Sequence, residues 1–269
     1  MKTLTHDEIK NIQLGILDDV HNFCKKSNIK YSLAGGTLLG AIRHKGYIPW
    51  DDDIDILMIR PEYDRFIREY KPKNKFLKLA TEKNDKFHVS SFAKIFDKRT
   101  NTDSLNFVDN RMVFIDIFPI DGRPDETGID SFLSKLEKKI FNLRRSGKYY
   151  LFYPSLKDKI LGFIKYLIKF CLYGSRQKQF KKLNELLKTY PFETSDFVGL
   201  TGGAYGKKEW FPKSIFNSYI LTEFEKRQYF IISEPEKYLE IVYGNWWELP
   251  PVEERIPHHF NNVTFEDLD

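Results

Sequence analysis

The chain has 269 residues, of which 41% are hydrophobic and 30% charged, and it carries a net charge of +5. That profile describes a soluble globular chain able to bury a sizeable core as one large domain or two small ones. No run of about 18 uninterrupted apolar residues occurs, which argues against a membrane span. The polar start "MKTLTHDEIK" has no apolar core of a signal peptide, and the expected address is the cytoplasm. The first helix is signalled by a capping box, Thr5 with Glu8, followed by Ile9, Ile12, Ile16, Leu17, Val20 and Phe23 at helical spacing. A short strand is expected in "KYSLA", then Gly35 and Gly36 directly before a helix, "TLLGAIRH". "DIDILMI" predicts a strand, and Pro61 suits the first turn of the next helix, "PEYDRFIREY". "FHVSSFAKIF" and "MVFIDIFPI" predict further strands.

Beyond Pro124 the character changes. Residues 127–190 are expected to be almost wholly helical, and 131–190 holds roughly fifteen Lys and Arg against three acids. An irregular stretch follows, then a last helix near "EPEKYLEIVYG" and a tail, "NWWELPPVEERIPHHF", expected as loop. The expected organisation is a catalytic core over 1–124, then a mainly helical, acceptor- or membrane-facing region over 125–269 whose tail folds back on the core. Cys24 and Cys171 lie in apolar helical patterns and are expected as buried free thiols rather than a disulfide.

The chemistry concentrates in "GYIPWDDDIDILMI". Alternation along the strand is expected to put Asp51, Asp53 and Asp55 on one face and to turn Asp52 away. Carboxylates at i and i+2 repel unless a cation lies between them, and Mg²⁺ is the natural ion, a hard cation that also takes phosphate oxygens. Asp116, a lone acid between Ile115 and Ile117, would be costly to bury without a partner, and a metal shared with Asp53 and Asp55 removes that cost. Asp121, in "PIDG", is expected as a turn residue. Upstream, Gly35 and Gly36 before a helix suit a phosphate site, with a hydroxyl from Thr37 and donors from Arg43 and His44. The pattern is neither a P-loop nor a dinucleotide-binding fingerprint.

The ordered set "GGTLLGAIRHKGYIPWDDDIDI", "FIDIFPIDG" and "YGNWWELPPVEERIPHH" resembles the LicD family, phosphocholine transferases of bacterial surface glycans. The resemblance implies an α+β fold, a nucleotidyltransferase-like mixed sheet with helices and a basic helical elaboration toward the C-terminus. It implies Gly35, Gly36 and Thr37 at the donor phosphates and Asp53, Asp55 and Asp116 as metal ligands and catalytic residues. Arg43 and His44 fall in the matching position. Lys94 is a candidate phosphate contact, or else an edge lysine reaching solvent. Arg255 and His258 either approach the donor or tie down the tail; His259 is expected to be structural. The implied donor is a CDP-linked alcohol, CDP-choline first, used with Mg²⁺ or in its place Mn²⁺. The implied acceptor is a glycan hydroxyl, lipid-linked, with no nucleic acid partner. Ribitol- or glycerol-phosphate transfer is the nearest alternative, then a D-x-D glycosyltransferase and a catalytically dead scaffold, against which all three acids are present. Tyr47, Trp50, Trp246, Trp247 and the tyrosines at 149, 150 and 153 are candidates for a choline cage. The segment "DKILGFIKYLIKFCLYG" is apolar over most of its circumference, with one stripe of Asp158, Gly162, Lys165 and Lys169. It fits a helix on an anionic membrane, or one packed on the core with solvated lysines.

Overall fold

The computed structural model describes residues 2–102, 111–148, 151, 153, 155–203, 205–256, 260 and 262–268. Helix α1 (His6–Ser27) starts at the expected capping box: Thr5 Oγ1 accepts from the Glu8 N–H, and the Glu8 carboxylate accepts from the Thr5 N–H. Its apolar face buries Ile16, Leu17, Val20 and Cys24 against the sheet. Helix α2 (Gly35–Arg43) begins at Gly35, so both glycines form its first turn rather than preceding it. Pro61 lies in the first turn of α3 (Arg60–Glu69), where its missing N–H costs nothing.

The central sheet is mixed. Its path runs β2 (Ser32–Leu33), β3 (Asp55–Ile59), β7 (Phe114–Arg123), β5 (Ala93–Asp97), β4 (Leu77–Ala80). β3 and β7 are parallel, and the other pairs on that path are antiparallel. All ten residues of β7 are buried. β5 pairs with its first half, and β8 (Phe197–Leu200) with its second half, followed by β9 (Trp210–Pro212). A hairpin of β10 (Tyr219–Phe224) and β11 (Arg227–Ile232) turns through Glu225 and Lys226, both at positive φ. A separate small sheet joins β1 (Lys2–Thr3), β12 (Val263–Phe265) and β6 (Thr100–Thr102). The architecture is α+β, as expected.

Several local expectations are revised. The region after residue 124 is not uniformly helical: β8 to β12 lie in it, and β8 extends the sheet of the first 124 residues. The helices α4 (Ile129–Arg145), α5 (Leu156–Tyr173) and α6 (Arg176–Leu187) do form, and α4 and α6 share a small core of Phe132, Leu136, Leu143, Phe180, Leu183 and Leu187. Cys171 is exposed on α5, whereas Cys24 is buried. The last helix, α7 (Pro235–Tyr243), packs over α2. In the tail, Arg43 Nη1 donates to the carbonyls of Trp246 (2.6 Å) and Glu248 (3.2 Å), and the Phe260 N–H donates to the Asp52 carboxylate at 2.9 Å.

Candidate active site

The site grows from one row across the sheet. Asp55 on β3 is in register with Asp116 on β7, and Asp116 with Lys94 on β5. Directly paired residues present their side chains to the same face. The Asp55 N–H donates to Thr37 Oγ1 and its carbonyl accepts from the Ala34 N–H, both at 2.9 Å, so α2 and β3 are stitched together where the acids begin. The buried Thr37 hydroxyl therefore positions Asp55. The Asp116 N–H donates to the Ile54 carbonyl at 2.9 Å, fixing the neighbouring strand.

Strand pairing starts only at Asp55, so the i, i+2 alternation does not extend back through Asp51. Instead Asp51, Asp52 and Asp53 gather, each with a carboxylate oxygen within 4.8 Å of the others. Asp52 is thus not turned away from its neighbours; it is buried and anchors the tail through Phe260. Asp51 is pushed up to about 8 by burial first, then by the charge of Asp53 and a hydrogen bond with it. Asp55 is driven well above the usual carboxylate range by burial and by Asp53, Asp116 and Asp51, with Lys94 opposing. The first turn of α2 lies against these acids. A Cβ on Gly36 would stand 2.5 Å from Asp51 Oδ2, and one on Gly35, whose φ is +50°, would stand 3.3 Å from Asp55 Oδ2. Glycine is required there because the carboxylates occupy the space, and the positive end of the helix dipole faces them.

Asp116 has a partner the sequence did not reveal. Lys94 Nζ lies 2.5 Å from its Oδ1, with both side chains nearly buried. Lys94 is not an edge residue reaching solvent: β5 lies between β4 and β7, and the ammonium sits 3.7 Å from the centre of the Phe114 ring. Arg43 and His44 are at the far end of α2, about 12 Å of helix rise from Gly35. Arg43 straps the tail, and its Nε donates to His44 Nε2 at 3.0 Å. Arg255 likewise holds the tail, donating to the Pro250 carbonyl at 2.9 Å and lying over the Trp50 ring at 5.2 Å. His258 and His259 lie outside the described residues, as do Tyr149 and Tyr150. Asp121 is a strand residue, not a turn: Arg60 grips both its oxygens at 2.6 and 2.7 Å, and Thr201 donates to it as well. Burial alone would raise Asp121, but Arg60, Arg123 and Thr201 together hold it below the ordinary carboxylate range.

Three tyrosines complete the surroundings. The Tyr238 hydroxyl accepts from the Gly35 N–H at 3.3 Å. A Cβ on Gly35 would come 3.8 Å from the Tyr243 hydroxyl. Tyr243 meets Tyr205 edge-on at 5.3 Å, and the charge of Asp55 reaches both. They come from segments about 150 residues or more beyond the aspartates, so no local spacing could announce them. Of the sequence candidates for a cage, Tyr47 is buried against Phe224 and Trp246 is buried against Trp247, while Trp247 is 62% exposed.

A cluster of carboxylate oxygens that repel one another, beside a glycine-led helix N-terminus, fits a hard divalent cation with a phosphate. Such a site on a mixed sheet is that of a nucleotidyltransferase-type domain, and the description "LicD/FKTN/FKRP, nucleotidyltransferase domain" matches residues 28–146. The chain is 37% identical over 267 residues to the lipopolysaccharide cholinephosphotransferase LicD of Haemophilus influenzae, covering 98% of this chain and 99% of that one, and it belongs to the LicD family. Shorter similarities extend to uncharacterized proteins of Rickettsia prowazekii, 41% identical over 63 residues (20% of this chain, 24% of that one), and of Rickettsia typhi, 56% over 41 residues (15% and 13%).

Proposed function

We propose that this protein is a phosphocholine transferase that uses CDP-choline, transfers phosphocholine to a hydroxyl of a surface-glycan precursor and releases CMP. The observation that carries it is the set of carboxylates at Asp51, Asp53 and Asp55 gathered against the first turn of α2, where burial and mutual repulsion push Asp51 and Asp55 up. The end-to-end likeness to an enzyme named for cholinephosphate transfer to lipopolysaccharide supports the choice of group and acceptor. Asp53 and Asp55, with Asp51 beside them, would hold Mg²⁺, which supplies charge neutralisation at the diphosphate and the leaving CMP.

The chain's own groups do the rest. The first turn of α2 binds phosphate oxygens through its dipole end. The acceptor hydroxyl attacks the phosphorus bearing choline; its new O–P bond forms as the bond to the bridging oxygen breaks and CMP departs. Asp116 takes the hydroxyl proton, kept in place by Lys94 at 2.5 Å. The trimethylammonium head rests against Tyr205 and Tyr243, whose edge-on rings offer two faces next to acid charge. The acceptor is lipid-linked, a precursor of teichoic acid, capsule or lipopolysaccharide, and is met at the inner face of the membrane.

A thermal-shift panel of CDP-choline, CDP-ribitol, CDP-glycerol and a UDP-sugar with Mg²⁺ tests the donor, because only a ligand of the native state raises the melting temperature. CDP-choline is expected to stabilise most, together with CMP release on adding acceptor. Equal or greater stabilisation by CDP-ribitol would transfer the reading to that alcohol. Tyr205→Ala should weaken CDP-choline binding severalfold while leaving CMP binding alone.

A further inference from the structure

Helix α5 is built inside out. Of its 18 residues only Gly162 is buried, and Tyr166, Lys169 and Tyr173 are half-buried. At about 100° per residue these four share one narrow line. So half of the stripe that looked like a solvated polar edge turns toward the protein. The opposite arc, about half the circumference, is open and apolar apart from Lys157 in its first turn. It presents Leu156 (74% exposed), Ile160 (53%), Ile164 (49%), Leu167 (45%), Ile168 (57%) and Leu172 (70%). A single helix exposing this much contiguous apolar surface marks an interaction site. Among the described residues no helix is long and apolar enough to cross a membrane.

The surroundings identify what covers it. Lys157, Lys159 and Lys165 are exposed on α5 itself, and Arg144, Arg145, Lys148 and Lys178 are exposed close to its two ends in sequence. Residues 131–190 hold fifteen basic side chains and three acidic ones. An apolar arc flanked by cations fits a layer with hydrocarbon inside and phosphate outside. A second copy of this chain would bring the same cations against themselves.

We infer that α5 lies in the plane of an anionic phospholipid surface, its Leu156–Leu172 arc in the acyl boundary and its lysines at the phosphates. This rests on the reading that the acceptor is met at a membrane and names the element that makes the contact. Such burial binds by apolar area and by charge together, so both contributions should be separable.

Co-flotation of the full chain with vesicles of phosphatidylcholine, with and without 30 mol% phosphatidylglycerol, is the test. The protein should float with the anionic vesicles, and do so severalfold less at high salt. Ile160→Ser/Ile164→Ser/Leu167→Ser alters exposed positions only. It should lose flotation at least tenfold while releasing CMP from CDP-choline with a soluble acceptor at the wild-type rate. If the triple variant floats like the wild type, another surface binds and the inference fails. If wild type is a dimer that the variant dissolves, and neither floats, the arc is a self-interface and the inference also fails. Flotation without CMP release would overturn the donor reading alone; CMP release without flotation would overturn the membrane reading and α5 with it.

Discussion

Strand β7 carries a buried aspartate near each end, and the two ends handle negative charge in opposite ways. Around Asp121 the protein supplies more than enough: Arg60 grips both oxygens, Thr201 donates a hydroxyl, and Arg123 stands near. Around Asp116 the Lys94 ammonium sits in a neighbourhood that also holds Asp51, Asp53 and Asp55. The first end is complete within the fold. At the second, burial and mutual repulsion push Asp51 and Asp55 up. The contrast sets an acid gripped by cations against acids raised by burial and by one another, and substitution tests it from either side.

The largest effect should come from Asp55→Asn. It relieves a buried charge, so the melting temperature should hold or rise, while CMP release falls at least 10³-fold, about 4 kcal/mol of lost transition-state stabilisation. Mg²⁺ should raise the melting temperature of wild type and not of the variant. A variant that keeps near-wild-type turnover would return Asp55 to the structural class. Asp121→Ala should do the reverse. Leaving Arg60 without its counter-charge should cost about 3–5 kcal/mol in urea unfolding, with turnover per folded molecule unchanged. Arg60→Leu combined with Asp121→Leu should recover much of that loss.

Two further acids test the contrast through pH. Glu209, buried near Arg123, is raised to about 7 chiefly by desolvation. Its folded form holds the proton longer than the unfolded chain, so stability should fall as pH rises from about 4.5 through 7. The drop is roughly 3 kcal/mol. Glu209→Gln should flatten that slope in unfolding measured at pH 5 and pH 8. Asp85 runs the other way. Burial alone would raise it, but hydrogen bonds from Lys78 and the Phe87 N–H, with the charge of Arg111, hold it near 2. That contribution is full above about pH 4 and is lost as pH falls through 2, about 2 kcal/mol, and Asp85→Asn should remove it.

Much of this was legible in the sequence, for stated reasons. The capping box, the helical spacing of α1, Pro61 opening α3 and the acids at Asp53, Asp55 and Asp116 are local patterns. What stayed hidden depends on pairing. Lys94 opposite Asp116 is a matter of antiparallel register between β5 and β7, which the chain does not announce. Asp121 looked like a turn residue because Pro119 and Gly122 flank it, yet pairing with β3 and β8 overrides their propensity. The β10–β11 hairpin escaped because Glu225 and Lys226 hold left-handed conformations that glycine or asparagine usually signals. Tyr205, Tyr238 and Tyr243 reach the site through α7 and the loop after β8, a long-range arrangement with no spacing rule. Helix α5 showed its composition plainly, but not which side faces the protein.

The bond from the Phe260 N–H to Asp52 has a consequence for biosynthesis. Asp52 emerges from the ribosome 208 residues before the backbone group that seats it. Tyr205 and Tyr243, and the tail carbonyls that Arg43 holds, also come late. A nascent chain carrying all the acids is therefore still an unassembled enzyme, and the site closes only when the segment around Phe260 folds back onto them.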